Sequence, residues 1–474
     1  MDPITSLSYF IPEIIILKTA FLLLILDFFV PNKKILGFLA VAGIGVAAAF
    51  LKFPTQPLAL FYGFFILDPF SFFFKIAAMG VVAITLIASM AYQPKSSLTY
   101  LGEYISLFLF LCFGLILMGS SNNLLMIFLS IEFVSILSYL LVGFLKKSPA
   151  SKEAALKYLL FGSVSSGVML FGMSLIYGLT GQIDLHLIQT QLAQNQVSQP
   201  LLLTALFLML VGFGFKISMA PFHMWAPDVY EGAPTPVTGF LTVGPKALGF
   251  AILLRVLHTT FLPLHKEWSF VLAALSMLTM TLGNVIAISQ TNIKRLLGYS
   301  SIAQAGYILM GLAVSNQIGT TGVLVYLLAY LFTNLGAFLC VIAVSNHFGT
   351  DEIDSFAGLS EKSPFLAFCM TVFMLSLGGL PPLAGFVGKY FVFASAIQGR
   401  FFTLAVVAAV NSAVAAFYYF RVVKQMYLAP AATPEPLSHS LALRVLLILT
   451  LAGTLLIGLY PAPWIEFVQR ALIL

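Results

Sequence analysis

The chain has 474 residues, of which 60% are hydrophobic and only 8% are charged, and its net charge is +6. Soluble domains carry about 25% charged residues, so this composition excludes an ordinary soluble protein and indicates an integral membrane protein embedded in a lipid bilayer. The basic residues are scattered singly among segment ends, a pattern that argues against nucleic-acid binding. The N-terminus shows no cleavable signal peptide, and we expect the first helix to insert and stay.

Apolar stretches follow one another along the whole chain with short polar connections. A membrane-spanning helix needs about 20 apolar residues. The sequence therefore predicts an all-α polytopic membrane protein with about 14 transmembrane helices. The predicted segments are 9–30, 35–52, 70–92, 101–119, 121–145, 154–180, 200–222, 235–258, 267–289, 295–314, 318–346, 363–398, 402–427 and 440–460.

The seventh and twelfth segments are predicted to be discontinuous. Segment 363–398 is too long for one straight helix and carries Gly-Gly-Leu-Pro-Pro at 378–382 in its middle. Proline lacks an N–H group and glycine is flexible, so the helix should break there. Pro221 similarly interrupts the end of segment 200–222, just after Lys216.

Segments 4–8 and 9–13 form two runs of five segments each. Because each run crosses the membrane an odd number of times, the second run has the opposite orientation to the first. In each run the fourth member is a broken helix with a lysine, Lys216 or Lys389. Such paired, interrupted helices are the signature of inverted-repeat transport folds. The match is incomplete and coincidence remains an alternative, because Glu132 of the first run has only Ser300, Ser301 and Gln304 as counterparts.

The repeats define the predicted domain organisation. Residues 1–100 hold three N-terminal helices, 101–258 the first five-helix repeat, 267–427 the second repeat, and 428–474 a C-terminal helix.

The loops predict the orientation. Loops after odd-numbered segments hold ten basic residues, and the other side holds four, so the positive-inside rule places both termini outside. The ten are Lys33, Lys34, Lys95, Lys146, Lys147, Lys152, Lys294, Arg295, Lys362 and Lys424, and the four are Lys52, Lys266, Arg400 and Arg470.

Charged residues inside apolar segments are the candidate functional residues. Glu132 lies in the middle of its segment, and Lys216, Lys246 and Lys389 are also placed at depth. A charge at the bilayer centre costs roughly 2.5–3.5 kcal/mol on insertion scales, so these positions indicate function. We expect Glu132 to be protonated or paired with a cation such as Lys216, and the lysines to form a proton path. Hydroxyls such as Thr235, Thr238, Ser218 and Tyr299, with water, would bridge the gaps.

Other polar residues leave two interpretations open. Lys157 enters its segment by one turn, so snorkelling and function are both plausible, and snorkelling also remains an alternative for Lys216. His223 could relay protons or cap the loop, whereas Asp228 and Glu231 are expected to anchor it.

The charges outside the repeats are expected to be structural. Asp68 and Lys75 are predicted to be interface residues, and Arg255 is predicted to snorkel. Glu13, Lys18 and Asp27 are expected to form local pairs or to contact a neighbouring subunit.

No redox or nucleotide site is predicted in this chain. Cys112, Cys340 and Cys369 fall in apolar segments without ligand spacing and are expected in the core. The sequence contains no CxxC, GxGxxG or Walker-type motif, so we expect it to bind no nucleotide, flavin, iron–sulfur cluster or metal by itself.

Three long motifs resemble a known family. PFHMWAPDVYEGAPTPVTGFL followed by VGPKALGF, then NIKRLLGYSSIAQAGYILMG, and finally LSLGGLPPLAGFVGKYFVF are similar to the antiporter-like membrane subunits of proton-pumping NADH–quinone oxidoreductase, respiratory complex I. The form PDVYEGAPTPV resembles the N-type chains, equivalent to mitochondrial chain 2. The resemblance covers segments 4 to 13 and implies two inverted five-helix units, each with a discontinuous helix.

The resemblance also implies roles for individual residues. Glu132 and Lys216 match the family's acid–base pair, Lys246 its central relay, Lys389 its exit-side group, and Lys157 its lysine on the sixth helix. NADH, FMN, iron–sulfur clusters and quinone are expected in partner subunits. The partners are other membrane subunits of complex I, including sister antiporter-like chains.

The resemblance implies a bacterial source, since the chain starts at Met1 with no N-terminal helices missing, and hence a location in the inner (plasma) membrane. A subunit of a multisubunit sodium/proton antiporter, a stand-alone solute transporter and a structural spacer are the alternatives. The electron donor and the transport of sodium stay undetermined by the sequence.

Overall fold

The structure, a computed structural model, describes residues 1–93, 100–194, 198–430, 437 and 439–472, and most of them are helical. Lys95, one of the ten basic residues behind the predicted orientation, lies outside the described residues. In chain order the α-helices α1–α20 are Pro3–Leu7, Ile11–Leu26, Lys33–Ala49, Pro69–Ala91, Leu101–Ser120, Leu124–Val142, Pro149–Thr180, Leu185–Gln194, Gln199–Ile217, Ala226–Gly232, Thr235–Thr259, His265–Ala287, Ile293–Val314, Gln317–Phe348, Leu359–Lys362, Pro364–Gly378, Ala384–Gln398, Phe402–Leu428, Leu441–Leu459 and Ala462–Arg470.

A small hairpin connects α3 to α4. Its strands are β1 (Leu58–Leu60) and β2 (Phe65–Leu67), paired antiparallel with Leu58 opposite Leu67.

The helices confirm a polytopic all-α architecture. Each predicted segment contains a helix, and eleven helices in the described part of the chain are long and apolar enough to cross a membrane. Helices α2 and α3 have 16 and 17 residues, and α16 and α17 have 15 each. These lengths fall short of the roughly 20 residues that a span needs. The predicted count of fourteen is therefore not established.

Both predicted interruptions are present. Helix α16 ends at Gly378 and α17 begins at Ala384, with Gly379 at φ +84° between them. A left-handed conformation of this kind favours glycine, because it lacks a Cβ. Helix α9 ends at Ile217, where Ser218 is also left-handed at φ +60°, and the short helix α10 precedes α11. Each break leaves main-chain carbonyls free for side chains.

Two main-chain bridges support the internal repeat. The residue before α6, Asn123, pairs with Asp184, and the residue before α13, Asn292, pairs with Glu352. In each case the partner follows a 32-residue helix, α7 or α14, that ends in a left-handed glycine, Gly181 at φ 65° or Gly349 at φ 64°. The two copies therefore share helix length, cap and bridge although their residues differ.

The N-terminal helices are attached to the core by two buried ion pairs that differ from the prediction. Lys75 lies 2.6 Å from Glu13, and both side chains are fully enclosed, so Lys75 is not an interface residue. Arg255 does not snorkel: it donates to Asp68 at 2.8 and 3.1 Å and to the Gly119 carbonyl at 3.2 Å. A nearby carboxylate satisfies the guanidinium inside the protein, which removes the reason to reach the interface.

The centre of the molecule is formed by α11, α13 and α14. Nearly every residue of these helices is buried, including polar ones. The cysteines Cys112, Cys340 and Cys369 are free and buried, as predicted. This arrangement places Lys246 of α11 against α13 of the other repeat.

Candidate functional site

Lys216 occupies the last turn of α9, next to the helix break. Its side chain is only 3% exposed, and its ammonium donates to the Ser135 hydroxyl on α6 at 3.0 Å. A Cβ added to Gly249 of α11 would lie 2.8 Å from Ile217 and 3.3 Å from the Lys216 stem. The absence of a side chain at Gly249 therefore lets the end of α9 pack directly on α11, one turn from Lys246.

Glu132 and Lys216 do not form a direct ion pair. Glu132 is partly exposed between α6 and α7, and the Ser166 hydroxyl donates to its carboxylate. Lys216 contacts the same helix at Ser135, three residues farther along and hence on the same face. Glu132 and Ser135 are one turn apart on α6, and serine hydroxyls occupy the immediate contacts of both predicted partners.

Lys246 lies in the middle of α11 and is 1% exposed. Its ammonium donates to the Ser301 carbonyl at 2.8 Å and to the Ser301 hydroxyl at 2.5 Å. Ser301 is the ninth residue of α13, and Glu132 is the ninth residue of α6. In the second repeat, the Ser301 hydroxyl therefore takes the position that the Glu132 carboxylate has in the first repeat.

Lys389 lies in the second turn of α17 and reaches back to the break. It is 5% exposed and donates to the Gly378 carbonyl at 2.9 Å and to the Ser412 hydroxyl at 3.4 Å. Its ammonium also sits 4.5 Å from the centre of the Tyr307 ring. The broken helix therefore supplies a carbonyl that an intact helix would have used internally.

A chain of neutral polar groups extends from the Lys246 site to the Lys389 site. Ser300, next to Ser301, lies 2.5 Å from the Tyr419 hydroxyl. Gln304 donates to the same hydroxyl at 3.1 Å and to the Leu377 carbonyl at 2.9 Å. The carbonyl of the following residue is the one that accepts from Lys389. Three hydrogen-bonded side chains therefore link the surroundings of the two lysines.

Sequence reasoning missed Tyr419 and the bonding roles of Ser135 and Ser301. The hydroxyls it named lie elsewhere: Ser218 pairs with Tyr230 at 3.3 Å, and Thr238 donates to the Tyr230 carbonyl at 2.8 Å. Among the described hydrogen bonds, Thr235 and Tyr299 make none to the lysines either; the Tyr299 ring centre lies 5.9 Å from the Arg295 guanidinium. Neutral residues in an apolar helix give no hydropathy signal, and only the helical position relative to a charge could have indicated them.

Lys157 belongs to a different, more exposed network. Its ammonium lies 2.7 Å from Asp228 and 2.8 Å from Glu153, and its side chain is 38% exposed. Arg295 lies 2.7 Å from Asp228 and 2.8 Å from Glu231. These contacts join α7, α10 and α13, as expected for residues that anchor the connection.

Asp228 lies at the centre of that network. Its burial raises the pKa, but hydrogen bonds from Lys157 and Arg295 lower it more, and the pKa of Asp228 ends below its ordinary value. The carboxylate is therefore charged over the physiological range.

His223 lies in the connection between α9 and α10. It is 9% exposed, and its ring interacts with the Pro221 backbone. None of the described hydrogen bonds joins His223 to a buried lysine.

Comparison with known proteins places these observations in context. The model of a family described as NADH:quinone oxidoreductase/Mrp antiporter, TM, matches residues 121–415, more than half of the chain. NADH-quinone oxidoreductase subunit N of Trichlorobacter lovleyi is 41% identical over 98% of this chain and 97% of its own length. The F420H2 dehydrogenase subunit N of Methanosarcina mazei is 39% identical, with 98% of both chains covered.

Solved structures agree with the sequence matches. A chain of respiratory complex I from Thermus thermophilus with bound aureothin superposes with a TM-score of 0.82, 33% identity and coverage of 96% of this chain and 98% of that one. A chain of the Mrp complex from Dietzia sp. has a TM-score of 0.85, covering 98% and 96%, but only 19% identity. The latter likeness shows the fold alone.

Proposed function

Because the chain belongs to the family of NADH:quinone oxidoreductase and Mrp antiporter transmembrane subunits, we propose that it is a proton-translocating membrane subunit of a respiratory NADH–quinone oxidoreductase, complex I. As such it is part of an enzyme, a translocase, whose electron transfer takes place in other subunits. It moves protons across the membrane and carries out no redox chemistry itself.

One observation carries this proposal: three lysines are buried in the centre of a membrane protein without a carboxylate partner. Lys216, Lys246 and Lys389 bond only to hydroxyls and main-chain carbonyls, and none takes part in an ion pair between described residues. A purely structural lysine in this environment would be paired or would reach the surface. Neutral partners permit both the charged and the neutral form, as proton transfer requires.

The roles of the residues follow from their positions. Glu132 lies one turn from Ser135, the α6 partner of Lys216, and its carboxyl group adjusts the protonation of that lysine. Lys246 is the central relay, and Lys389 is the group at the second break. The hydroxyls of Ser301, Ser300 and Tyr419, with Gln304, carry or orient the proton between the last two lysines. A hydroxyl passes a proton by accepting one and releasing another, so no net charge is left on it.

Lys157 and His223 contribute at the edge of the path. Lys157 is held by carboxylates at a more exposed site, where its charge adjusts the electrostatic potential at the entrance of the proton path. His223 lies beside the first break, where burial lowers its pKa and keeps the ring neutral at neutral pH, so it takes up a proton only transiently during transfer.

The protein partners are other membrane subunits of the complex, including sister antiporter-like chains. NADH, FMN, iron–sulfur clusters and quinone belong to partner subunits. The protein lies in the bacterial inner membrane with both termini on the outer side, supported by the ten-to-four distribution of basic residues. Relatives act in complexes named for different electron donors, NADH and F420H2, so the donor is a property of the partner subunits.

The alternative is a subunit of a multisubunit sodium/proton antiporter. The same fold supports it, but the solved Mrp chain is only 19% identical to this protein. The relatives at about twice that identity are named subunit N of dehydrogenase complexes. The dehydrogenase assignment is therefore favoured.

A tagged copy expressed in its own cells tests the proposal. Purification from solubilised membranes should recover hydrophilic redox subunits together with sister membrane chains, and the assembled complex should pump protons during NADH oxidation. Recovery of antiporter subunits alone would support the alternative. The isolated chain should neither oxidise NADH nor reduce quinone.

A further inference from the structure

A polar cavity of about 250 Å³ lies where α11 begins, at the predicted cytoplasmic side. Its lining includes Tyr92, Glu231, Lys294, Ser345 and Asp351, contributed by connections in both repeats and after α4. Lys294 is 3% exposed and donates to the Glu231 carbonyl at 2.7 Å. The role proposed above for the lysine relay does not use this cavity.

A stripe of hydroxyl groups leads from this cavity along α11. Thr235, Thr238 and Thr242 precede Lys246 at intervals of three, four and four residues, which places all four on one face of the helix. At 1.5 Å per residue the stripe covers roughly 16 Å. All three threonines are buried.

Helix α14 runs antiparallel to α11 along this stripe. Gly239 faces Phe338, since a Cβ there would lie 3.1 Å from the Phe338 Cβ, and Asn334 donates to the Thr242 hydroxyl at 2.7 Å. Extending the register by one turn places Tyr330 of α14 at the level of Lys246.

One polar atom on this face of α14 is buried without a partner. The Asn334 side-chain oxygen accepts no hydrogen bond among the described residues, and its side chain is fully buried. One turn away, the buried Tyr330 hydroxyl interacts with the Ser301 hydroxyl, which also accepts from Lys246. Buried polar atoms are nearly always satisfied by protein or by water, so the free amide oxygen between a polar cavity and this lysine indicates bound water.

We propose that a second proton inlet joins the cytoplasmic-side cavity to Lys246 along the interface of α11 and α14 and bypasses Lys216. Water held by Thr238, Thr242, Asn334 and Tyr330 takes up a proton from the bulk phase through the cavity. The water chain delivers it to the neutral amine of Lys246, which becomes an ammonium. Lys246 then releases a proton to the hydroxyl chain that begins at Ser301. The inlet rests on the proposed proton-translocating function.

Pumping by complexes with altered inlet residues tests this proposal. Thr242→Val removes the hydroxyl at nearly unchanged volume, and Asn334→Leu removes the amide. Protons pumped per electron, measured in membrane vesicles and normalised to assembled complex, should fall in both variants. Thr321→Val is the matched control, because its buried hydroxyl bonds only within α14, to the Gln317 carbonyl at 2.8 Å, and pumping should be unchanged.

The outcomes separate the inlet from the function itself. Normal pumping by both inlet variants together with reduced pumping by Lys246→Ala would reject the inlet and leave the function standing. Normal pumping by Lys246→Ala would reject the function.

A second measurement does not depend on turnover. In complexes whose Cys112, Cys340 and Cys369 are replaced by alanine, Thr238→Cys should react with a water-soluble thiol reagent supplied from the α11 N-terminal side. Val237→Cys, at the same depth but on another face of α11, is the control and should react severalfold more slowly. Reactivity at position 238 no faster than at position 237 would show that water does not follow the threonine face and would overturn the inlet.

Discussion

The ammonium of Lys246 is bonded to two oxygens of a single residue, the carbonyl and the hydroxyl of Ser301, at 2.8 and 2.5 Å. A hydroxyl can accept a hydrogen bond from an ammonium and can donate one to a neutral amine. Ser301 therefore suits both protonation states of the lysine, which a carboxylate would not.

The first prediction concerns Lys246 itself. Lys246→Ala should leave assembly and electron transfer largely intact and lower the protons pumped per electron. Lys246→Arg should not restore pumping, because a guanidinium remains protonated at any working pH. Pumping in membrane vesicles, normalised to assembled complex, decides the matter, and full pumping by the arginine variant would contradict the relay role.

The second prediction exploits the position that Ser301 shares with Glu132. Ser301→Asp should hold Lys246 in the charged form through a buried ion pair, so pumping should fall although the lysine is present. Ser301→Ala should have a smaller effect, since the main-chain carbonyl remains. Ser276→Ala is the control, because this buried serine bonds to the Gly306 carbonyl at 2.7 Å, away from the lysines. Unchanged pumping by Ser301→Asp would exclude the alternation of charge at Lys246.

The third prediction concerns the break beside Lys389. A Cβ at Gly379 would lie 2.5 Å from the lysine side chain, and the residue has φ +84°. Gly379→Ala should therefore displace Lys389 and lower pumping, besides the roughly 1 kcal/mol that a left-handed alanine costs. Gly181→Ala is the control for backbone strain alone, because Gly181 has φ +65° and an added Cβ would meet no atom within 4 Å. Equal pumping by the two variants would show that contact with Lys389 is unimportant.

The fourth prediction concerns stability at the N-terminal helices. Asp68→Asn leaves Arg255 buried without a counter-charge, and breaking a buried pair costs about 3–5 kcal/mol. The melting temperature of the purified complex should drop. Replacement of both partners, Asp68→Asn with Arg255→Met, should recover part of the loss because no unpaired charge remains. If the double variant lost as much melting temperature as the two single variants together, the two residues would not act as a pair.

The fifth prediction is a pH dependence at the more exposed network. Asp228→Asn should lower the melting temperature slightly, since pairs of this exposure contribute about 0–1 kcal/mol. The pKa of Asp228 is lowered in the folded protein from its ordinary value of 3.8, so the contribution of its carboxylate to stability is fully present above that value. It disappears only as the pH falls through the lower folded value. The difference between wild type and variant should therefore stay constant from neutral pH down to about pH 5.

Some of these features were predictable from local sequence. The break at Gly379 follows from Gly-Gly-Leu-Pro-Pro, whose effect on a helix does not depend on neighbours. The burial of Lys246 is predictable from its depth, because eleven residues of the same helix precede it. Local rules suffice where the cause lies within one segment.

Other features depend on contacts between distant segments. Arg255 was expected to snorkel, and only the folded chain brings Asp68, 187 residues away, to its guanidinium. Tyr330 and Asn334 are neutral residues in an apolar helix, so hydropathy does not distinguish them. Their significance lies in the register of α14 against α11, which no single-sequence pattern contains.

The two bridges, Asn123 with Asp184 and Asn292 with Glu352, have a consequence for evolutionary origin. They are made by main-chain atoms, and such contacts are independent of which membrane face they meet. A five-helix ancestor held together in this way could fold equally well in either direction across a bilayer. After duplication and fusion, the odd number of helices in each copy makes the second copy cross the bilayer in the opposite direction to the first. The asymmetry between Glu132 and Ser301 then marks where the two copies diverged chemically.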